Sequence, residues 1–462
     1  MSRVTARTSS VVVLGGGPGG YEAALVAARI GATVTVVDRD GLGGACVLTD
    51  CVPSKTLIST AGFMSGLSSG ATLGVDLGSG SARADLAVVN RRVLALAGAQ
   101  SEDIRARLEG DGVRVCRGVG TLLGSGTVQA QLADGGTEEI TADVVLLATG
   151  ATPRVLPTAQ PDGERILTWK QIYSLTELPE KLVVVGSGVT GAELAQAYVG
   201  LGAQVVLVSS RERVLPGEDA DAAAVIEDVF RRDGMEVLGR SRMASVERAG
   251  DGVRVHLVDG RTVEGSHALL AVGSVPQTSG IGLQENGVQL SESGHIEVDG
   301  VARTSVRGVY AAGDCTGVLP LASVAAMQGR IAMWHSLGDA VAPLKLNVVS
   351  ANIFTSPEIA TVGISQKDID EGGVDAAAVM LPLATNPRAK MDNFDVGFVK
   401  VFSRHGSGTV LGGVVVAPRA SELIFPVAVA VQNHLNVDQL ASTFTVYPSM
   451  TGSIAEAARR LH

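Results

Sequence analysis

The chain carries one arrangement twice: an apolar strand, a glycine turn and a helix. Val11-Val12-Val13-Leu14 feeds directly into Gly15-Gly16-Gly17-Pro18-Gly19-Gly20 and then into the alanine-rich stretch Tyr21–Ile30. Far downstream, Leu182-Val183-Val184-Val185 leads into Gly186-Ser187-Gly188-Val189-Thr190-Gly191, and Ala192-Glu193-Leu194-Ala195 opens the next helix. Glycines at this spacing let the backbone approach a pyrophosphate held at a helix N-terminus. Gly15, Gly17 and Gly20 are the first candidate phosphate turn, and Gly186, Gly188 and Gly191 the second. The strand after the first unit, Thr33–Val37, ends in Asp38, placed to take the hydroxyls of an adenosine ribose. The strand after the second, Gln204–Val208, ends instead in Ser209-Ser210-Arg211. These residues offer donors and a positive charge where an NADH-selective fold carries a carboxylate, although Arg211 also reads as a plain solvated loop residue. Two such units bind two dinucleotides, a flavin and a nicotinamide, or are a recent duplication with one dead copy. The differing strand ends favour two separately tuned sites.

At 462 residues the chain is long enough for two or three domains. Its 46% hydrophobic content, 3% aromatics and 58 glycines suit an α/β enzyme rather than a disordered or fibrous chain. A net charge of −10 argues against a nucleic-acid partner. No apolar stretch approaches the ~20 residues of a membrane span. Met1 to Ser10 is polar and runs straight into the first strand, so no signal peptide is expected. Four cysteines are too few for a secreted disulfide framework, which places the chain in the cytoplasm. There a close cysteine pair is more often catalytic or metal-binding than structural. Cys46 and Cys51 stand five apart in the run from Gly43 to Lys55, whereas Cys116 and Cys315 have no near partner and read as small buried apolar residues. No C-x-x-C or histidine cluster points to a metal site.

Two further strands end on glycine: Asp143–Ala148 closes on Thr149-Gly150, and Val309–Ala312 on Gly313-Asp314. Asp85–Glu109 reads as a helix and Val113–Ile140 as short strands with glycine turns. Loop-like stretches near Pro153–Pro157 and Ser274–Gly282 bracket the second unit as an insertion in the first. Gly273, at the exit of that insertion, is counted among the cofactor-binding positions. Beyond Pro343 the pattern changes: Leu346–Phe354, Gly397–Phe402 and Val410–Val416 read as strands, Ser421–Leu435 and Ser453–Leu461 as helices, a third, α+β domain.

In this order of blocks the chain resembles the FAD-dependent pyridine nucleotide–disulfide oxidoreductases, the group of dihydrolipoamide dehydrogenase and glutathione reductase. The resemblance runs through both glycine turns, the dithiol run ending Pro53-Ser54-Lys55, Ala148-Thr149-Gly150, Ala311-Ala312-Gly313-Asp314 and the block Phe354–Gly363. It implies an α/β fold with two Rossmann-like dinucleotide-binding domains, for FAD and NAD(P)H, plus a C-terminal α+β dimerisation domain. The boundaries expected are 1–153 and 274–343 for the FAD-binding domain, 154–273 for the NAD(P)H-binding domain and 344–462 for dimerisation. It further implies a homodimer and a Lys55–Glu193 ion pair beside the flavin's reactive nitrogen. Asp314, at the end of its strand, suits hydrogen bonding to a flavin's ribityl chain or closes an ordinary strand-ending turn, and Thr149 and Gly150 are counted among the cofactor-binding positions. Tyr447 would belong to the partner's active site.

The chain departs from that pattern where protons are handled. Disulfide reduction needs an acid–base group, a role histidine fills at neutral pH. The family places that His directly before a proline, with an orienting Glu five residues on; here those positions hold Tyr447 and Gly452. A phenol stays protonated at neutral pH, donating a hydrogen bond but not readily accepting a thiol proton. Glu456 lies one helical turn further on and matches a different family position. Asp50 replaces the glycine usual before the second cysteine, and its charge disfavours a Cys51 thiolate. Hydride transfer from NADPH or NADH to FAD survives without the base, and a quinone is the natural small-molecule acceptor. The resemblance is closest to the actinobacterial lipoamide-dehydrogenase-like NAD(P)H quinone reductases, on Tyr447-Pro448 and the stretch Leu321–Arg330. A disulfide reductase working through Cys46 and Cys51 is the alternative, and a flavin-binding structural subunit a distant third. Mercuric reductase is disfavoured, because no cysteine pair stands at the C-terminus.

Overall fold

A computed structural model describes residues 8–68, 70–76 and 82–462. The start of the polar segment Met1 to Ser10 therefore lies outside the described residues. The chain divides into two units. One comprises the described residues of Met1–Ser54, Arg91–Arg154 and Gly273–Leu344, the other those of Lys55–Asn90, Val155–Val272 and Lys345–His462.

In the first unit, continuous apolar runs build a sheet covered on both faces. Strands Val309–Ala311, Val144–Leu147, Ser10–Leu14, Thr33–Asp38 and Arg114–Gly124 lie side by side and parallel. Such strands need crossovers and burial on two sides, so the central ones, Val144–Leu147 and Ser10–Leu14, read as runs of Val and Leu, while Arg114–Gly124, which leads into the antiparallel edge, admits polar residues. Alternate residues of Ser10–Leu14 enter opposite layers, Val11 and Val13 in one and Val12 and Leu14 in the other. Thr127–Leu132 and Thr137–Thr141 extend the sheet as an antiparallel meander. Helix Pro18–Arg29 packs against helix Ala322–Ser336 with almost no side chain between them: a Cβ on Gly329 would stand 2.0 Å from the Gly19 carbonyl oxygen. The two stretches read as loops around residues 153 and 274 pair as short antiparallel strands, Ala151–Pro153 with Ser274–Pro276.

The second unit repeats the parallel theme and adds an antiparallel layer. Strands Glu236–Leu238, Gln204–Val208, Lys181–Val185, His267–Leu270 and Ile166–Thr168 form a parallel sheet. Met243–Ala249, Gly252–Leu257 and Thr262–Gly265 form a separate three-stranded antiparallel sheet. After residue 345, Ser350–Ile353, Glu358–Gly363, Val410–Ala417, Phe398–Arg404 and Ala376–Pro382 make a five-stranded antiparallel sheet whose core includes residues of the helices after residue 420. The single helix expected over Ser421–Leu435 is two, Ala420–Leu423 and Phe425–Gln432, because Pro426 lacks an N–H and opens a new first turn. Leu346–Phe354 is likewise divided, a 3₁₀ turn at Leu346–Val348 preceding the strand.

Lys400, 3% exposed, is buried in this unit between two carboxylates, 2.8 Å from Asp219 and 2.6 Å from Asp221. Asp219 also caps helix Ala220–Arg232, so one carboxylate closes a helix end and neutralises a buried ammonium. No described helix is long and apolar enough to cross a membrane.

Candidate active site

Both glycine turns are built to the same dimensions. At Gly15, φ is +102° and an added Cβ would lie 2.2 Å from the Ala148 carbonyl oxygen; at Gly20 it would lie 1.9 Å from the Gly15 oxygen. At Gly186, φ is +112° and a Cβ would meet the Ala271 oxygen at 2.2 Å; at Gly191 it would meet the Gly186 oxygen at 1.9 Å. These glycines are required by backbone packing. Gly17 and Gly188 differ, because a Cβ on either would meet nothing within 4 Å. Each is the N-cap of its helix, and neither helix end has a side-chain cap. Two uncapped helix N-termini, each fronted by open space, fit the pyrophosphates of two dinucleotides.

Around the first turn the strand ends converge. Asp38 accepts the Gly16 N–H at 2.7 Å and the Gly41 N–H at 2.6 Å, which fixes its carboxylate at the turn. Thr149 and Gly150 follow the neighbouring strand, and Gln277 holds them by donating to the Thr149 carbonyl and to the Gly150 carbonyl. Asp314 opens a 3₁₀ turn after the next strand, and burial pushes its carboxyl above the usual range. Cys46 lies in the short helix Gly44–Leu48, whose start touches the first turn: Gly43 N–H donates to the Gly16 carbonyl at 2.8 Å. Cys51 begins helix Cys51–Ser68, and both cysteines are half-buried. Asp50, whose carbonyl accepts the Ser54 N–H, sits at the entry of that helix, where a carboxylate is favoured by the helix dipole. Its presence in place of glycine thus has a structural reason.

In the second unit, Lys55 Nζ lies 2.8 Å from Glu193 Oε2, and Glu193 is 2% exposed. The other carboxylate oxygen accepts the Phe354 N–H at 2.8 Å, and the Phe354 ring lies 4.9 Å beneath the Lys55 ammonium. Three residues along the same helix, Gln196 exchanges two hydrogen bonds of 2.7 Å with the backbone of Ser356. Phe354 was legible only as the first residue of a family block; its contact with the ion pair had no local signal.

At the end of strand Gln204–Val208, Ser209 departs from the expectation of an open donor. That side chain is fully buried, its hydroxyl 2.7 Å from Ser187 Oγ and bonded to the Arg211 backbone. It shapes the turn and is not open to a ribose, because the strand's last inward-facing position belongs to the core. Ser210 and Arg211 are exposed, and Arg240 N–H donates to the Arg211 carbonyl at 2.7 Å. Gly273, with φ of +93°, starts the return segment in the first unit, where its carbonyl accepts the Arg154 N–H.

At the C-terminus, Tyr447 is 83% exposed and follows exposed Phe444 and Val446. Glu456, the nearest downstream carboxylate, pairs with Arg459 and Arg460, whose hydrogen bonds hold it below the usual range. None of the seven histidines lies between residues 435 and 461. Among the described residues no cluster of three potential metal ligands occurs.

Residues 9–329 match the pyridine nucleotide-disulphide oxidoreductase family, and residues 349–458 match its dimerisation domain. The chain belongs to this family. It is an oxidoreductase of a family that uses FAD and NAD(P)H, and it ends in a dimerisation domain. It is 57% identical over 460 residues to the NAD(P)H dehydrogenase (quinone) of Mycobacterium tuberculosis strain H37Rv, covering 98% of this chain and 93% of that protein. It is 33% identical to a dihydrolipoyl dehydrogenase of Chlorobaculum tepidum, covering 97% of this chain and 96% of the relative. The crystal structure of LpdA from M. tuberculosis superposes with a TM-score of 0.94 at 56% identity, covering 98% of this chain and all of that one. The flavoprotein disulfide reductase RclA of Escherichia coli shares the fold, with a TM-score of 0.87 at 23% identity and coverage of 97% and 99%.

Proposed function

We propose that this protein is a cytoplasmic, homodimeric, FAD-dependent NAD(P)H:quinone oxidoreductase. One observation carries the choice of acceptor: the acid–base position of a disulfide reductase holds an exposed tyrosine, and the nearest carboxylate is tied to two arginines. FAD, when bound, would supply the two-electron chemistry between NAD(P)H and the acceptor. The chain's residues bind and orient. Gly15, Gly17 and Gly20 with Asp38 receive the FAD pyrophosphate and ribose, and Asp314 receives the ribityl chain. Gly186, Gly188 and Gly191 receive the NAD(P)H pyrophosphate, with Ser210 and Arg211 at its adenosine ribose. Lys55 is the cation assigned to the flavin, and Glu193 holds it in place through a 2.8 Å ion pair. Tyr447 donates its phenolic proton to a quinone oxygen as a hydrogen bond, across the dimer.

The mycobacterial relative's name supports the quinone as acceptor. Cys46 and Cys51 favour a second reading, a disulfide reductase, because the loop that carries them is retained beside the first glycine turn. Steady-state assays of the purified flavoprotein with NADPH separate the two. The proposal expects brisk menadione or benzoquinone turnover, lipoamide turnover at least a hundredfold slower, and a Tyr447→Phe variant with a raised quinone KM. Lipoamide turnover equal to quinone turnover would make the second reading the right one.

A further inference from the structure

Two residues beyond strand Val309–Ala311 stands Gly313, whose φ of +85° and ψ of −160° are open to glycine and strained for any other residue. The 3₁₀ turn Asp314–Thr316 follows and presents the carboxylate assigned to the flavin's ribityl chain. What holds this turn is a residue of the next helix. Gln328, 3% exposed, accepts the Gly313 N–H through Oε1 at 2.9 Å and donates through Nε2 to Thr316 Oγ1 at 3.3 Å. The Thr316 hydroxyl in turn donates to the Gly313 carbonyl at 2.8 Å, closing a ring of hydrogen bonds around the turn. The next two residues of the helix grip the other flavin-facing element. Gly329 touches Gly19 backbone to backbone, and Arg330 binds Glu22 of helix Pro18–Arg29 through two nitrogens at 2.7 and 3.0 Å. Three consecutive residues therefore join the Asp314 turn to the helix that opens at the first glycine turn.

We infer that Gln328 is a positioning residue for FAD: it fixes Asp314 relative to the pyrophosphate-binding turn, so that both ends of one extended ligand are met at once. This rests on the assignment of Asp314 to the ribityl chain. Removing the amide leaves the Gly313 N–H buried without its acceptor and frees the turn, while the fold around it keeps its apolar packing. Nothing in the spacing of residues 313 and 328 announces the contact, because one lies at a strand end and the other inside a helix.

The test is the release of FAD from holoenzyme, followed by the rise of flavin fluorescence on dilution, for Asp314→Ala, Gln328→Leu and the double variant. The inference expects each single variant to release FAD about tenfold faster, the equivalent of one buried hydrogen bond. It expects the double variant to release it no faster than Asp314→Ala alone, because Gln328 acts through Asp314. If Asp314→Ala leaves release unchanged, the ribityl assignment fails and the inference with it. If Asp314→Ala accelerates release and Gln328→Leu does not, only the inference is overturned; fully additive effects overturn it too. Should Gln328→Leu fail to yield holoenzyme, Gln328→Glu keeps the shape and the acceptor but loses the donor to Thr316. Its release rate is expected between those of the parent and Asp314→Ala, and a rate equal to the parent's overturns the inference.

Discussion

In the proposed function, Arg211 stands where the second coenzyme fold would decide between NADH and NADPH. Its backbone is fixed by Ser209 and Arg240 while its side chain reaches into solvent. A guanidinium so placed favours a 2′-phosphate through charge-assisted hydrogen bonds. NADPH is expected to be used at least as well as NADH, and Arg211→Ala to raise the KM for NADPH about tenfold or more with little change for NADH. Comparing kcat/KM for the two coenzymes checks this; a strong NADH preference unmoved by the substitution contradicts it. The Lys55–Glu193 pair is the other residue-scale decision. Glu193 is buried deeply enough that removing Lys55 would strand a charge, at a cost of about 3–5 kcal/mol. Phe354 completes the site by giving the second carboxylate oxygen a donor and the ammonium an aromatic face.

At the scale of elements, strands such as Ser10–Leu14 and Lys181–Val185 were legible because burial on both faces favours apolar runs and glycine follows them. The short parallel strands Ile166–Thr168, Glu236–Leu238 and His267–Leu270 were not read. The antiparallel sheet Met243–Gly265 was not read, although Asp251-Gly252 and Asp259-Gly260 mark its turns; its strands are short and alternate apolar residues with charged ones. The Glu193–Phe354 and Gln328–Gly313 contacts were not legible at all, since each joins residues whose proximity only the tertiary fold creates. Burial of Ser209 was hidden for the same reason. Strand His267–Leu270 shows what such burial does to a titrating group. Burial first, and then the Arg165 and Arg248 cations, push the His267 imidazole down to about 4 against the opposing pull of Asp162. The native state holds it neutral, so the unfolded chain binds the extra proton between pH about 4 and its ordinary value of about 6.5. Its contribution to stability is therefore full above about 6.5 and is lost as pH falls through that window. Thermal melts from pH 7 to 4 should show a smaller acid-induced drop in Tm for His267→Gln than for the parent; equal drops would count against this assignment.

For the whole molecule, the exposed apolar residues Phe425, Val429, Phe444 and Val446 all lie in the dimerisation domain. Exposed apolar residues of a dimerisation domain are expected to be covered by a second copy. Sedimentation of the parent should give a dimer, and Phe425→Asp together with Phe444→Asp should shift it towards monomer and cut quinone turnover at least tenfold. A fully active monomer would break the link between assembly and catalysis. In the proposed function, quinone reduction needs neither Cys46 nor Cys51. Replacing Cys46 and Cys51 together with serine and measuring NADPH-dependent quinone turnover tests it most directly. A rate within about twofold of the parent is expected, a change of less than ~0.5 kcal/mol in activation free energy; a loss of a hundredfold or more, with FAD still bound, would show that the sulfur pair carries the current.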